Sequence, residues 1–335
     1  GGIAMIRTTF AHDATTTGKA TRVFRAMGCQ IDVQLLHDAD SVVDHAVGLA
    51  LAAAEMRFRL YEEELSRFIA TSGLTLLNQA AGRGSVLVSP ILGEVTQHAL
   101  AAAQATGGMF DPTLGTVLAH LGYDRPFPFP EIGDGGVIPV VLPQYRAGAW
   151  REVVVDPTAG TVALPAGVAL DFGGIGKGWA VDRMVAILRH AHGVRGGLVN
   201  AGGDLRTWGE APDAAAAWTV GVEDPRDMDR DCAILGVSDG AVATSSTAYR
   251  HWRRGDRWVH HLLDPRTGQP AATDLAAVTV LGPSAMWAEI HAKVALLHGT
   301  TSGRAYLDAQ PDYEGLLIAA DGTTDGTTGI GGYLR

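Results

Sequence analysis

The stretch Leu170–Asp204, LDFGGIGKGWAVDRMVAILRHAHGVRGGLVNAGGDL, orders the reading of the whole chain. Asp171 opens a glycine run, Gly173, Gly174, Gly176 and Gly178, with Lys177 set inside it. Ala180, Val181, Met184, Val185, Ile187, Leu188 and Ala191 then recur at helical spacing. Gly193 stops that helix after a basic and polar last turn of Arg189, His190 and His192, as helix C-termini favour. Leu198-Val199 reads as a short buried strand, closed by Asn200-Ala201-Gly202-Gly203-Asp204.

A glycine loop entering a helix aims backbone N–H groups and the positive dipole end at one point, where a phosphate fits. Lys177 adds a mobile cation to that point. The same run also reads as a tight turn packing a helix against a sheet. Two named loops fail on spacing: a Walker A loop needs glycine where Asp171 stands, and a Rossmann fingerprint from Gly174 needs glycine where Trp179 stands.

A chain of 335 residues with 47% hydrophobic and 19% charged residues has the composition of a soluble globular protein with a full core. Its net charge of −10 argues against a nucleic-acid partner, which selects a basic face. Two cysteines, Cys29 and Cys232, make neither a disulfide framework nor a metal-type pair. No apolar run reaches the length of a membrane span, and residues 1–20 lack a secretory apolar core, so a cytoplasmic location is expected. Gly1–Ala4 read as an added lead before Met5, and residues 1–21 as a flexible segment ahead of one domain over 22–335.

Along that domain, Val23–Leu35 reads as a strand with a turn or bulge at Met27-Gly28, followed by an alanine-rich helix from Asp40 to about Leu60. A short helix is expected over 74–80, and Ser89-Pro90 starts another that runs to about Thr106. Asp111, between Gly107-Gly108 and Pro112, reads either as a helix N-cap or as a ligand-facing acid. Residues 122–150, rich in proline and glycine, read as an insertion and the best internal break. Residues 152–164 read as a hairpin turning at Ala159-Gly160, and strands are expected near 205–208, 217–222, 233–238 and 241–244. Asp239-Gly240 signals a hairpin between the last two. His261 reads equally as a satisfied structural histidine or a catalytic group. Ser284 opens a helix on which Glu289 and Lys293, spaced i, i+4, pair at the surface or serve a site. Hairpins outnumber strand–helix–strand units, so the fold class is α+β, with mixed, largely antiparallel sheets and flanking helices.

In order, Met27-Gly28, Leu65-Ser66-Arg67-Phe68 with Leu77-Asn78, Gly107–Thr113, Asp171–Lys177 with Val181-Asp182, Val199–Asp204, Ala243-Thr244-Ser245 and His261–Gly268 resemble the motifs of the FAD:protein FMN transferase family, the ApbE-type flavin transferases. The resemblance implies that FAD lies in a cleft between two subdomains. Its FMN half would pass, through the phosphate, to a Thr or Ser hydroxyl of a target protein, with release of AMP. By similarity, FAD contacts fall on Met27, Phe68, Met109, Phe110, Asp111, Asp171, Gly173, Gly174, Lys177 and Leu263, with His261 as general base or positioner. The family's Mg²⁺ site implies a backbone carbonyl at Gly174 and an Asp and a Thr on the late helix, where this chain has Glu289 and Lys293. Lys293 is therefore expected to supply part of the metal's charge. The departure leaves open an FAD-binding or flavin-delivery protein and an FAD pyrophosphatase as alternatives. Asp321-Gly322-Thr323-Thr324 faintly resembles the acceptor sequence such enzymes modify, and also reads as a hairpin turn.

Overall fold

The computed structural model describes residues 17–126, 145–254 and 257–335. In chain order these form β1 (Thr17–Ala26), β2 (Cys29–Asp38), α1 (Ser41–Leu65), α2 (Gly73–Gln79), β3 (Ser85–Leu87), α3 (Pro90–Ala105), α4 (Gly115–His120), β4 (Val154–Asp156), β5 (Thr161–Ala163), α5 (Gly176–Leu188), β6 (Val194–Ala201) and β7 (Asp204–Gly209). There follow β8 (Trp218–Asp224), β9 (Asp227–Val237), β10 (Gly240–Ser246), β11 (His251–Arg254), β12 (Arg257–His260), β13 (Leu263–Asp264), β14 (Gln269–Pro270), β15 (Leu275–Gly282), α6 (Ala285–Asp308), β16 (Glu314–Ala319) and β17 (Thr324–Gly326). The class is the expected α+β.

The chain forms two compact units. The first holds Leu60–Gly176 and Arg250–Thr273; the second holds residues up to Arg59, Lys177–Tyr249 and Asp274–Arg335. The chain passes between them inside α1, at the start of α5, just before β11 and just before β15, not at the proline- and glycine-rich stretch. Most of that stretch, residues 127–144, lies outside the described residues, as do residues 1–16 of the expected flexible lead. Residues 17–21 of that lead are not loose: they pair with Gln34–Asp38 in the first hairpin, whose backbone bonds outweigh their polar composition.

The second unit is built on an eight-stranded sheet in the order β1-β2-β6-β7-β10-β15-β16-β17, antiparallel at every pairing. The β8–β9 ribbon contributes Val220, Val222, Leu235 and Val237 to a core shared with Leu205, Val242, Leu281, Leu316 and Ile318 of the sheet. This corrects the hairpin expected at Asp239-Gly240: β9 pairs with β8, while β10 pairs with β7 and β15. A local turn signal lost there to two longer ladders. The Asp321-Gly322 turn joins β16 to β17 as a hairpin, with Gly322 at φ 89°.

In the first unit, β3, β4 and β5 form a small antiparallel sheet that includes the expected 152–164 hairpin. Ser89 caps α3, its hydroxyl accepting from the Leu92 amide at 3.2 Å. Gly107 and Gly108, at φ 61° and 88°, end that helix in a left-handed turn that side chains resist.

Helix α6 packs on β10, β15 and β16 and breaks at Gly299 (φ 75°), where the Thr300 amide donates to Asp274 at 2.9 Å. His291 lies buried on it, 2.6 Å from the Tyr306 hydroxyl and against the rings of Trp287 and Tyr313. Burial pulls the His291 imidazole down from 6.5 to about 4, so the native state keeps it neutral. Between those values the unfolded chain binds the extra proton, so stability rises with pH from about 4 to 6.5 and falls on acidification through that window. At about 1.4 kcal/mol per pH unit the window spans about 3 kcal/mol. Urea unfolding of His291→Phe followed from pH 7 to pH 4 is expected to lose that part of the acid slope.

Candidate functional site

In the second unit, α5 and α6 cross with almost no space between them. A β-carbon on Gly178 would stand 2.5 Å from the Ala285 carbonyl oxygen and 2.6 Å from the Met286 Cα. The two helix starts cap one another. Asp182 of α5 accepts from the amides of Ala285 and Met286, each at 3.0 Å, and from the Ser284 hydroxyl at 2.7 Å. Glu289 of α6 accepts from the Gly178 amide at 2.9 Å. First-turn amides have no partner within their own helix, so a carboxylate there is stabilised by hydrogen bonds and by the helix dipole.

Glu289 is 5% exposed and also accepts from Lys177 Nζ at 3.1 Å. Lys177 donates further to Asp204, which is 2% exposed. Two buried carboxylates thus share one ammonium. Lys177 is not the mobile cation expected from sequence, because both acids already hold it. Glu289 turns inward in these bonds, and Lys293, half-buried, follows one helical turn later.

Local sequence marks Asp204 only as the end of a motif, because its partner lies 27 residues away. It sits at a sheet end where two turns lie side by side. The Gly202 amide donates to the Gln30 carbonyl at 3.0 Å, and Asn200 accepts from the Gly203 amide at 2.9 Å. Met27 occupies the neighbouring β1–β2 turn at φ 54°, with Gly28 at 72°. A left-handed methionine carries backbone strain of the kind that gathers at ligand sites.

In the first unit, Asp171 begins the glycine loop beside Arg67, whose Nε donates to it at 2.5 Å. The Arg67 guanidinium is 9% exposed, lies 4.2 Å from the Phe68 ring centroid and 4.6 Å from that of Tyr123, and donates to the Tyr123 carbonyl at 2.5 Å. Phe68 and Tyr123 pack 5.4 Å apart. Asn78 latches the backbone just before Asp171 twice, donating to Leu170 O at 2.9 Å and accepting from Leu170 N at 2.8 Å. The loop uses its own amides: Gly173 donates to the Asp171 side chain, and Ile175 and Gly176 to the Phe172 carbonyl. With Gly178 bound to Glu289, the anion nest expected over Gly174–Gly178 has several donors already committed. Gly174 is half-buried.

Asp111 does not cap α4, whose N-cap is Leu114 without a side-chain bond. It is buried and accepts instead from the Thr113 amide at 2.8 Å and hydroxyl at 2.5 Å, in a local turn. Phe110 beside it is 1% exposed and Met109 half-buried. Leu263, 1% exposed, belongs to a core of Leu118, Tyr123, Trp252 and Val259, with Phe68 against it. His261 is half-buried, edge-on to Tyr123, with Nδ1 3.4 Å from the Arg250 carbonyl. A carbonyl only accepts, so Nδ1 carries the proton and Nε2 of the neutral ring carries the lone pair.

The donors present do not fit a protein-held divalent cation. A hard cation at Glu289 would meet the Lys177 ammonium already on that carboxylate, and Lys293, which cannot coordinate while protonated, one turn away. Among the described residues, no group of three His, Cys, Asp or Glu is arranged to hold a metal ion.

The charge balance is testable. Lys177→Met leaves two buried carboxylates facing each other and is expected to cost about 3–5 kcal/mol at pH 7 in urea unfolding. Adding Asp204→Asn should restore most of that loss. Gly178→Ala, which forces α5 and α6 apart against backbone, should cost about 3 kcal/mol by the same measurement.

Known proteins resemble this chain in both sequence and fold. An FAD:protein FMN transferase of Treponema pallidum is 32% identical over 300 residues, covering 85% of this chain and 82% of that protein. One from Klebsiella pneumoniae is 31% identical over 263 residues, covering 77% and 78%. The ApbE protein of Thermotoga maritima superposes with a TM-score of 0.79 at 23% identity, over 95% of this chain and all of that one. The flavin transferase ApbE of Vibrio cholerae gives 0.75, also at 23% identity and with the same coverage. The family model described as the ApbE family matches residues 27–317, which take in every site residue named above, and the chain belongs to that family.

Proposed function

We infer that this chain is an FAD:protein FMN transferase. The observation that carries the reading is the family match from residue 27 to 317, together with relatives of that name at 31–32% identity over most of both chains. Those names do not favour a pyrophosphatase or a delivery protein. In the first unit, Phe68, Met109, Phe110, Asp111, Asp171, Gly173, Gly174 and Leu263 are proposed to contact FAD; in the second, Met27 and Lys177 are.

The acceptor hydroxyl of a target Thr or Ser attacks the phosphorus on the FMN side. The bond from that phosphorus to the bridging oxygen breaks, AMP leaves, and the hydroxyl proton passes to Nε2 of His261. The Nδ1 contact with Arg250 O supports this by fixing the tautomer that can accept a proton. Phosphoryl transfer needs charge neutralisation more than covalent help, and Lys293 is proposed to provide part of it where the family uses a metal. The poor fit of a divalent cation at Glu289 favours that role. Arg67 holds Asp171 and stacks on Phe68, so it orients two of the proposed contacts.

The test is incubation with FAD and a target flavoprotein, with either Mg²⁺ or a chelator, read as covalent flavin by mass spectrometry. His261→Ala is expected to slow transfer about 100-fold or more while FAD binding stays within a few-fold. The wild-type chain should keep transferring in chelator, and Lys293→Thr should become dependent on added Mg²⁺. Free FMN and AMP without labelled target, or intact FAD held unreacted, would overturn the reading.

A further inference from the structure

Helix α1 has two apolar faces, and its fold uses only one. Val43, Val47, Leu51, Ala54 and Phe58 are buried at core spacing. Val42, Leu49 and Met56 recur every seven residues on the other side and are 69%, 59% and 72% exposed. Ala46, half-buried, and Ala53, exposed, fall between them, so Val42, Ala46, Leu49, Ala53 and Met56 alternate at spacings of four and three. That is the spacing of a helix-pairing seam. From Ala46 to Ala54 the helix carries no polar side chain at all (AVGLALAAA), although Gly48, Leu49 and Ala53 face outward. A surface helix normally turns charged residues outward, so a seam like this marks a contact.

We propose that this seam pairs with the same seam of a second copy of the chain, the two α1 helices running antiparallel. Large and small residues alternate along it, and an antiparallel two-fold sets Leu49 over the partner's Ala53 and Met56 over the partner's Ala46. A parallel pair would instead stack leucine on leucine and leave gaps at the alanine layers. The alanines allow axes to approach to about 8 Å. No charge in the two central turns has to leave water, as the centres of protein interfaces require. The seam runs only from Val42 to Met56, short against the about 1,200 Å² of stable assemblies, so the dimer is reversible, with a dissociation constant on the order of micromolar. None of this depends on the proposed activity.

Sedimentation velocity of the full chain from about 1 to 100 μM should show monomer passing to dimer. Leu49→Glu and Met56→Glu, both at exposed positions, should each weaken association at least about 10-fold while leaving the melting temperature unchanged. Ala46→Cys and Met56→Cys, oxidised together, should give a disulfide-linked mixed dimer, and neither should cross-link alone. The wild-type chain, with buried Cys29 and half-buried Cys232, is the background control. A monomer at every concentration, a dimer indifferent to both glutamates, or a cross-link by Ala46→Cys alone would overturn the proposal.

Discussion

The second unit depends on two helices that cap each other. Asp182 leaves α5 to bind the first amides of α6, and Glu289 leaves α6 to bind an amide in the first turn of α5. Each bond answers a donor that its own helix cannot satisfy, and each lies on the positive end of a dipole. The arrangement works only because residue 178 has no side chain, so the two backbones meet directly. Arg206 steadies it by donating to Asp182 at 2.7 Å.

That crossing settles the electrostatics beside it. Glu289 comes inward to reach Gly178 and there meets Lys177, which also binds Asp204 at the start of β7. Two buried acids around one base leave a negative excess in a place poor in water. A buried ion cluster contributes less to stability than its Coulomb attraction suggests, because desolvation offsets it. What it contributes is position: the lysine and both acids are held in one geometry.

The first unit arranges its side chains by a different means. Arg67 bridges a carboxylate, a carbonyl and two aromatic rings, and Asn78 holds both backbone groups of Leu170 just before the loop. Bidentate and stacked contacts of this kind restrain direction as well as distance. Asp171 therefore starts the glycine loop from a fixed point. Burial, with the carboxylates of Asp111 and Asp264 nearby, pushes the Tyr145 hydroxyl up, and that hydroxyl donates to Pro265 O at 2.5 Å.

Local chemistry in the sequence determined the elements. Ser89-Pro90 and Ser284 start helices, Met27-Gly28 and Asp321-Gly322 turn hairpins, and alternating apolar residues make strands, because caps, turns and periodicity act over a few residues. The ordered motifs pointed to the family on the same terms. Only the tertiary structure decided what those residues touch. Asp239-Gly240 looked like a hairpin until β9 and β10 took other partners, and Asp111 looked like a cap until Thr113 claimed it. Lys177 looked mobile until Asp204 and Glu289, 27 and 112 residues away, closed on it. The reason is physical: a carboxylate's partner is chosen by distance and desolvation in the folded state, and neither quantity is written in the spacing of residues along the chain.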